Sequence, residues 1–157
     1  MHVLITGISG RIGANLAKAL LDAGHTVRGL VWENDRRSEK LAGLPVELVE
    51  GTITNRADVD VAMAGVDAVC HLAAAFQGGG PFTNDQYFDI NVRGTFNMLE
   101  AARQQPKPLQ QFFYASTDAI YEKYVPGGMT EPIREDTMKI APGGQYALTK
   151  YLGEELA

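Results

Sequence analysis

The stretch Val3-Leu4-Ile5-Thr6-Gly7-Ile8-Ser9-Gly10-Arg11-Ile12-Gly13 decides the fold. Its apolar start contains β-branched residues and predicts a strand buried on both faces. After the glycines, the apolar positions follow helical spacing and end before Gly24, a residue typical of a helix C-terminus. These positions are Ile12, Leu16, Ala19, Leu20 and Ala23. The stretch therefore predicts a strand, a tight turn and a helix in direct succession.

The same unit recurs along the chain. Further strands are predicted at 26–32, 46–50, 67–72 and 111–115, and further helices at 36–42, 56–63, 85–104 and 145–157. The helix at 85–104 is indicated by Phe88, Val92, Phe96 and Leu99. Alternating strands and helices with short connections predict an α/β fold whose parallel sheet is covered on both faces. Two stretches rich in glycine and proline, 77–81 and 122–144, are predicted loops at the ligand-binding edge of that sheet.

Composition limits the functional classes. The 157 residues include 14 Lys and Arg against 19 Asp and Glu, and the net charge of −5 opposes binding to nucleic acid or to an anionic membrane. The single cysteine, Cys70, excludes an intrachain disulfide, and the three histidines show no metal-ligand spacing. The sequence shows no export signal and no apolar run that would cross a bilayer. We therefore expect a cytoplasmic protein without a metal site.

The glycine turn predicts a phosphate site. Glycines let the backbone approach a pyrophosphate closely, and the helix N-terminus offers free N–H groups and the positive end of its dipole. In this strand-turn-helix context the glycines indicate a bound dinucleotide. No Gly-Lys-Ser/Thr sequence follows, which excludes a phosphate loop of the kinase type. A tight structural turn without a ligand is the alternative.

The choice between NAD and NADP stays open in the sequence. A ribose with a free 2′-hydroxyl favours a carboxylate at the end of the second strand, and a 2′-phosphate favours an arginine. That strand ends at Trp32, with neither residue in place. Just beyond it stand Glu33, Asp35, Arg36 and Arg37, each of which also fits a solvated turn. Trp32 is interpreted as a cover for adenine, and a simple cap on the strand is the alternative.

Tyr146 and Lys150 stand four residues apart in the last predicted helix and therefore on one of its faces. A free phenol ionises near pH 10 and burial disfavours the phenolate, so a tyrosine that exchanges protons near neutral pH needs a nearby positive charge. Lys150 supplies that charge. Ser116 and Thr117 end the fifth strand, where a hydroxyl is able to hold a substrate oxygen. Together these residues predict a site for hydride transfer.

The sequence resembles the extended short-chain dehydrogenases/reductases of the NAD-dependent epimerase/dehydratase family. The resemblance rests on Thr6-Gly7-x-x-Gly10-x-x-Gly13, on His71-Leu72-Ala73-Ala74 and on Asn91-Val92-Arg93-Gly94-Thr95-Phe96-Asn97. Further matches are Ser116-Thr117 with Ile120-Tyr121, Pro132-Ile133-Arg134-Glu135 and the Tyr146/Lys150 pair. It implies a Rossmann-type doubly wound parallel sheet. It also implies oxidoreductase, epimerase or dehydratase chemistry at a secondary alcohol or carbonyl of a sugar nucleotide or related small molecule.

The resemblance implies roles for individual residues. Tyr146 is the general acid/base, Lys150 favours its phenolate and binds the nicotinamide ribose, and Thr117 hydrogen-bonds the reacting oxygen. Thr52 stands where the family commonly has an aspartate on adenine, so it replaces that contact only in part. His71 is expected to be a core residue. The residues expected at the cofactor, besides Tyr146 and Lys150, are Gly7, Gly10, Arg11, Ile12, Gly13, Trp32, Thr52, Ile53, Leu72, Ala73, Ala74, Asn91 and Ser116.

The family resemblance also bears on the extent of the protein. In the family the Tyr-x-x-x-Lys helix lies near the middle of the chain, and a C-terminal region that follows it selects the substrate. Residues 1–157 are therefore expected to form an NAD(P)-binding domain without that region. The resemblance also implies a homodimer through the Asn91 and Tyr146 helices. The alternative function is a dinucleotide sensor or regulatory protein without chemistry, because the fold alone does not decide function.

Overall fold

The structure of the chain is a computed structural model that describes residues 1–76, 80–121, 132, 134–136 and 139–157. Large parts of the two predicted loops, 77–81 and 122–144, lie outside these ranges. Tyr121, which directly precedes the second loop, and Ile140, within its C-terminal part, form an antiparallel bridge. Ala141 also donates its backbone N–H to the Ile120 carbonyl over 2.9 Å. The residues that precede that loop and the C-terminal part of the loop therefore lie together.

Five parallel strands form the sheet, namely β1 (His2–Thr6), β2 (Thr26–Val31), β3 (Val46–Glu50), β4 (Ala68–His71) and β5 (Gln111–Tyr114). Their order in space is β3-β2-β1-β4-β5. Along the chain, β2 and β3 are added on one side of β1, and β4 and β5 are then added on its other side. A switch point therefore lies between β1 and β4, where doubly wound folds bind their ligands. The predicted Rossmann-type α/β fold is confirmed.

The helices in the described part of the chain are α1 (Arg11–Asp22), α2 (Arg56–Met63), α3 (Asn84–Phe88), α4 (Gly94–Arg103) and α5 (Gln145–Leu156). A π-helical turn, Asp89–Arg93, joins α3 to α4, so the helix predicted at 85–104 is continuous with a local widening. The predicted helix at 36–42 is a 3₁₀ helix over Arg36–Leu41.

Short polar signals fix where these helices begin. The Asn55 side chain accepts a hydrogen bond from the Ala57 N–H at the start of α2. At the start of α3, Thr83 and Gln86 each accept a backbone N–H from the other, which is a capping box. Such caps satisfy N–H groups that the first helical turn leaves without a partner.

Two apolar clusters cover the two faces of the sheet. The first contains Leu4, Leu30 and Val69 from the strands with Val59, Met63 and Met98 from helices. The second contains Val3, Ile5, Val27 and Val31 from the strands with Ile8 and Ala17. Because β1 contributes to both clusters, the prediction of a strand buried on both faces is confirmed.

The buried side of α1 differs from the apolar face read in the sequence. Ile12, Ala19 and Ala23 are exposed, and the buried residues of α1 are Gly13 and Ala17. The expectation is confirmed for Leu16 and Leu20, which are partly buried against the second cluster, and is wrong for the other three residues. A close approach of the helix to the sheet selects small residues such as Gly13, and a glycine is not counted when apolar side chains are used to find the buried face.

The helix segment 84–103 shows the same effect. Phe88 and Phe96, which indicated the helix, are 47% and 49% exposed. Its buried side includes Asn91 and Thr95, whose polar groups form hydrogen bonds inside the protein. The apolar stripe in the sequence thus marks an outer surface of this helix, and the inner surface is partly polar.

Candidate active site

The glycine loop, residues 7–13, closes tightly on its neighbours. Gly7 has a φ of 69°, and a Cβ there would stand 2.9 Å from the Ala73 backbone nitrogen. A Cβ at Gly13 would stand 2.6 Å from the Ile8 Cα. Both positions therefore require glycine. A Cβ at Gly10 would meet, among the described residues, only the Gly7 carbonyl oxygen at 3.0 Å.

The N-terminus of α1 opens onto this loop. Gly10 precedes the helix, no described side chain caps it, and the first turn carries no acidic residue. Free N–H groups and the positive end of the helix dipole therefore face the loop. Arg11 and Ile12, both exposed, begin the helix. Together with the glycines, this arrangement fits a pyrophosphate.

The segment after β4 lies against the glycine loop. The Leu72 N–H donates to the Thr6 carbonyl over 3.2 Å, and the Ala73 N–H donates to the Thr6 hydroxyl oxygen over 3.2 Å. Leu72, Ala73 and Ala74 are partly exposed there. The structure thus brings Leu72 and Ala73, two of the predicted cofactor residues, to the glycine loop at the switch point of the sheet, and Ala74 follows them in the chain.

His71 is buried at the end of β4 and joins three elements. Its Nδ1 lies 2.7 Å from the Thr6 hydroxyl, and its Nε2 lies 3.0 Å from the Thr95 hydroxyl. Thr95 donates its own proton to the Asn91 carbonyl, so we infer that His71 carries its proton on Nε2 and accepts from Thr6. Burial, with Lys150 nearby, lowers the pKa of His71 to about 3. His71 is therefore a neutral core residue, as expected.

Asn91 connects the segment after β4 to the helix of the predicted catalytic pair. Its Oδ1 accepts the Ala75 N–H over 2.7 Å, and its Nδ2 donates to the Ala75 carbonyl over 3.0 Å and to the Thr149 hydroxyl over 2.9 Å. Both amide protons are thereby used, and Oδ1 keeps one lone pair for a cofactor. The π-helical turn places this side chain in the interior.

The predicted catalytic pair lies on α5. Tyr146 is partly exposed, whereas Lys150 is only 3% exposed. The Lys150 ammonium lies 3.9 Å from the centre of the Tyr114 ring. Burial lowers the pKa of Lys150 to about 8, and Glu154 opposes that change. Lys150 is thus a buried amine with a lowered pKa one helical turn after Tyr146, and such perturbed groups often mark functional sites.

The two hydroxyl residues after β5 are differently engaged. Ser116 donates a hydrogen bond to the Glu154 carboxylate on α5. Thr117 accepts the Ala119 N–H over 3.2 Å and caps the 3₁₀ turn Asp118–Ile120. The roles predicted for Thr117 and Ser116 at substrate and cofactor remain predictions.

An acidic group near the glycine loop is Asp35, one of the four charged residues whose role the sequence left open. The side chain of Asp35 is 7% exposed and accepts the Ser9 hydroxyl proton over 2.6 Å. Its hydrogen bonds to Arg37 hold the pKa of Asp35 at about 2. The signal available in the sequence was Asp35 followed two residues later by Arg37, a spacing typical of a side chain that bonds its own turn.

Trp32 and Thr52, both predicted to contact the cofactor, follow β2 and β3. Trp32 is 46% exposed, and the Arg37 guanidinium lies 5.8 Å from the centre of its ring. The Thr52 N–H donates to the Asp58 carboxylate over 2.9 Å. Ile53 is buried in the core, where a Cβ at Gly94 would collide with it. Only the backbone of Ile53 is therefore suited to a cofactor contact.

Within the described ranges, no cluster of three or more His, Cys, Asp and Glu side chains suits a metal ion. No helix in the same part of the chain is both long and apolar enough to cross a membrane.

Comparison with known proteins assigns the family. Residues 3–157 match the NAD dependent epimerase/dehydratase family. A 3-beta-hydroxysteroid dehydrogenase of Mycolicibacterium neoaurum is 39% identical over 125 residues, which cover 76% of this chain and 32% of that protein. The expectation of a nicotinamide dinucleotide as cofactor is confirmed, since the matched family is NAD-dependent.

Two solved structures extend the match. A short-chain dehydrogenase/reductase superfamily protein from Agrobacterium tumefaciens with bound NAD is 33% identical, with a TM-score of 0.80, over 99% of this chain and 44% of that one. The UDP-glucose 4-epimerase of Thermus thermophilus in complex with NAD is 27% identical, with a TM-score of 0.81, over 99% and 49%. The chain thus spans less than half the length of these relatives. On sequence, fold and site geometry, it belongs to the NAD-dependent epimerase/dehydratase family.

Proposed function

We propose that residues 1–157 form the NAD-binding part of an enzyme that oxidises a secondary alcohol, or reduces the corresponding carbonyl, with Thr117, Tyr146 and Lys150. One observation carries the proposal. The hydrogen bonds of Asn91 to Ala75 and Thr149 connect the helix of Tyr146 and Lys150 to the segment beside the glycine loop. The proton-exchanging pair and the dinucleotide site are thus parts of one buried framework.

In the proposed reaction the residues bind, orient and move a proton. Bound NAD supplies the acceptor for the hydride of the substrate carbon. The phenol oxygen of Tyr146 takes the proton of the substrate hydroxyl, and the Lys150 ammonium favours the phenolate by its charge. The Thr117 hydroxyl orients the substrate oxygen for that transfer. In the reverse direction the Tyr146 hydroxyl returns the proton to the carbonyl oxygen.

NAD is proposed over NADP because of Asp35. A carboxylate beside the glycine loop is able to accept a hydrogen bond from a ribose hydroxyl, and its charge repels a 2′-phosphate. The pKa of about 2 keeps that carboxylate charged at neutral pH. Arg37 is paired with Asp35 over 2.9 Å, which reduces its attraction for a phosphate.

A sugar nucleotide is the proposed substrate class. The UDP-glucose 4-epimerase of Thermus thermophilus supports it, whereas the name of the Mycolicibacterium neoaurum relative refers to a hydroxysteroid. Turnover on a panel of UDP-sugars and GDP-sugars is compared with turnover on hydroxysteroids, and this comparison distinguishes the two substrate classes. We further propose a cytoplasmic homodimer, supported by the single cysteine and by the exposed Phe88 and Phe96.

The test compares Tyr146→Phe with Tyr151→Phe, a control that removes a phenol hydroxyl from the same helix. Binding of NAD is followed in residues 1–157 by the fluorescence of Trp32, the only tryptophan of this chain, and turnover is followed in the intact enzyme by nicotinamide absorbance on the substrate panel. We expect both variants to bind NAD and only Tyr146→Phe to lose turnover. Turnover retained by Tyr146→Phe contradicts the assigned acid/base. NAD binding without turnover by the unmodified intact enzyme on any substrate favours the alternative of a sensor.

A further inference from the structure

The ammonium of Lys150 lies on the face of an aromatic ring inside the protein. Its Nζ is 3.9 Å from the centre of the Tyr114 ring, within the range in which a cation is attracted to the ring's electron density. Lys150 is 3% exposed, so water screens this attraction little. No carboxylate among the described residues forms an ion pair with Lys150.

The Tyr114 ring is itself fixed in place. Its hydroxyl donates a hydrogen bond over 3.0 Å to the backbone carbonyl of Lys150. The ring packs against His71 with centres 5.8 Å apart. It also fills a notch in α5 at Gly153, where a Cβ would stand 2.9 Å from the Tyr114 Cζ. Three elements thus hold the ring, and one of them is the helical turn that carries Lys150.

Besides the Tyr114 ring, the titratable groups near Lys150 are His71, Glu154 and Tyr146. His71 is neutral at physiological pH, because its pKa is lowered to about 3. Burial raises the pKa of Tyr114 well above its usual value, so its ring stays uncharged. Glu154, one turn further along α5, favours the charged lysine but bonds to Ser116. Tyr146 precedes Lys150 by one turn.

We propose that Tyr114 is the positioning residue of Lys150, with the ring face holding the ammonium and the hydroxyl fixing the turn of α5 behind it. The proposal rests on the function proposed above for Lys150. It adds that the strand β5 contributes to proton exchange through an aromatic side chain as well as through the hydroxyl residues that follow it. Without the ring, the ammonium loses the aromatic face against which it lies and the fixed position from which it is proposed to act on Tyr146.

The direct test is the ring-current effect on Lys150. Protons above an aromatic face resonate upfield, so the Hε protons of Lys150, labelled with ¹³C-lysine and assigned by their loss in Lys150→Arg, should be shifted upfield from the other lysines. The upfield shift should persist in Tyr114→Phe, which keeps the ring, and vanish in Tyr114→Leu. The matched control is Phe113→Leu, which removes a half-exposed ring from the same strand and should leave the shift unchanged. Ordinary Hε positions in the unmodified chain overturn the proposal, even if Tyr114→Leu fails to fold.

A second measurement addresses the role of the contact. Titration of the Lys150 Cε resonance should show a lower midpoint in Tyr114→Leu than in Tyr114→Phe, because the ring stabilises the charged form. Equal midpoints in the two variants contradict the proposal. In a turnover assay, Tyr114→Leu should lower the rate of NAD reduction and shift its pH dependence. Tyr114→Phe should keep most of the rate of the unmodified protein. The proposed function is tested separately. Turnover retained by Tyr146→Phe would contradict that function but would leave the Hε shift of Lys150 unchanged.

Discussion

The hydroxyl of Ser9 in the glycine loop donates a hydrogen bond over 2.6 Å to the carboxylate of Asp35, beyond the end of β2. The two residues connect the proposed pyrophosphate site to the turn that follows the second strand. Asp35 also caps the 3₁₀ helix Arg36–Leu41 by accepting the Arg37 N–H. A negative charge is thus held beside the region expected for the adenosine ribose.

The first prediction concerns cofactor choice. Asp35→Asn keeps an oxygen acceptor for Ser9 but removes the charge that repels a 2′-phosphate. We expect the affinity for NADP relative to NAD to rise by about tenfold, which corresponds to about 1.4 kcal/mol. Fluorescence titration of Trp32 with each dinucleotide measures the ratio. Glu33→Gln, at an exposed position of the same turn, should leave it unchanged. An unaltered ratio in Asp35→Asn would show that Asp35 does not select the cofactor.

Asp35 shows why part of the site was beyond sequence reasoning. The sequence predicts that an acid belongs at the end of β2, and none stands there. The structure supplies one from four residues further on, because the turn folds back onto Ser9. A charged residue in a loop is most often solvated, and only the three-dimensional path of the turn distinguishes this case.

The second prediction concerns His71 and acid. The unfolded chain protonates this histidine near pH 6.5 and the folded chain only near pH 3, so the unfolded state binds more protons between these values. The free energy of unfolding should therefore fall on acidification below pH 6.5, by up to about 1.4 kcal/mol per pH unit from this group. Urea unfolding between pH 4.5 and 6.5 measures it, above the range in which Asp35 is protonated.

Two variants isolate that contribution. His71→Gln should flatten the pH dependence, and His25→Gln, which changes a histidine outside the core, should retain it. The same steep dependence in His71→Gln and in the unmodified chain would rule out His71 as its source.

The third prediction concerns the stability cost of Lys150. Its pKa is lowered from 10.5 to about 8, so burial of the charged form opposes folding below pH 8 and ceases to do so as the pH rises towards 10.5. Lys150→Met should therefore stabilise the chain by about 2 kcal/mol at pH 7, with a smaller gain at pH 10. Thermal and urea unfolding at both pH values test this. Lys18→Met, at an exposed lysine paired with Asp22, should change stability by less than about 0.5 kcal/mol. A less stable Lys150→Met would contradict the prediction.

The fourth prediction separates structural from ligand-contacting glycines. A Cβ at Gly13 collides with the Ile8 Cα at 2.6 Å, so Gly13→Ala should destabilise the fold by about 2 kcal/mol or more. Gly10→Ala meets only a carbonyl at 3.0 Å among the described residues, and should keep the fold but weaken NAD binding by occupying the space of the pyrophosphate. Calorimetry and Trp32 fluorescence measure the two effects. Strong NAD binding by Gly10→Ala would place the pyrophosphate elsewhere.

The order of strands and helices was predictable because each element carries its own periodicity and end signals. The apolar run 3–5 and the glycines after it were enough for the first unit. What the sequence did not show is which side of a helix faces inward, since that depends on partners distant in the chain. Asn91 and Thr95 face inward because Ala75, Thr149 and His71 provide hydrogen bonds there. Those partners come together only in the folded chain.

The last prediction follows from the outward side of the same helix. Phe88 and Phe96 are 47% and 49% exposed, and Leu148 on the adjacent helix α5 is 42% exposed. Exposed apolar groups on packed neighbouring helices are typical of an interaction surface, and a second copy of this chain is the proposed occupant. Phe96→Glu should therefore convert a dimer into a monomer in sedimentation velocity, because burying an unpaired carboxylate at a two-fold interface is costly. Phe113→Glu, which alters an exposed phenylalanine on β5, should leave the dimer intact. A monomeric unmodified chain at micromolar concentration, or a dimer unaffected by Phe96→Glu, would show that this surface does not mediate self-association.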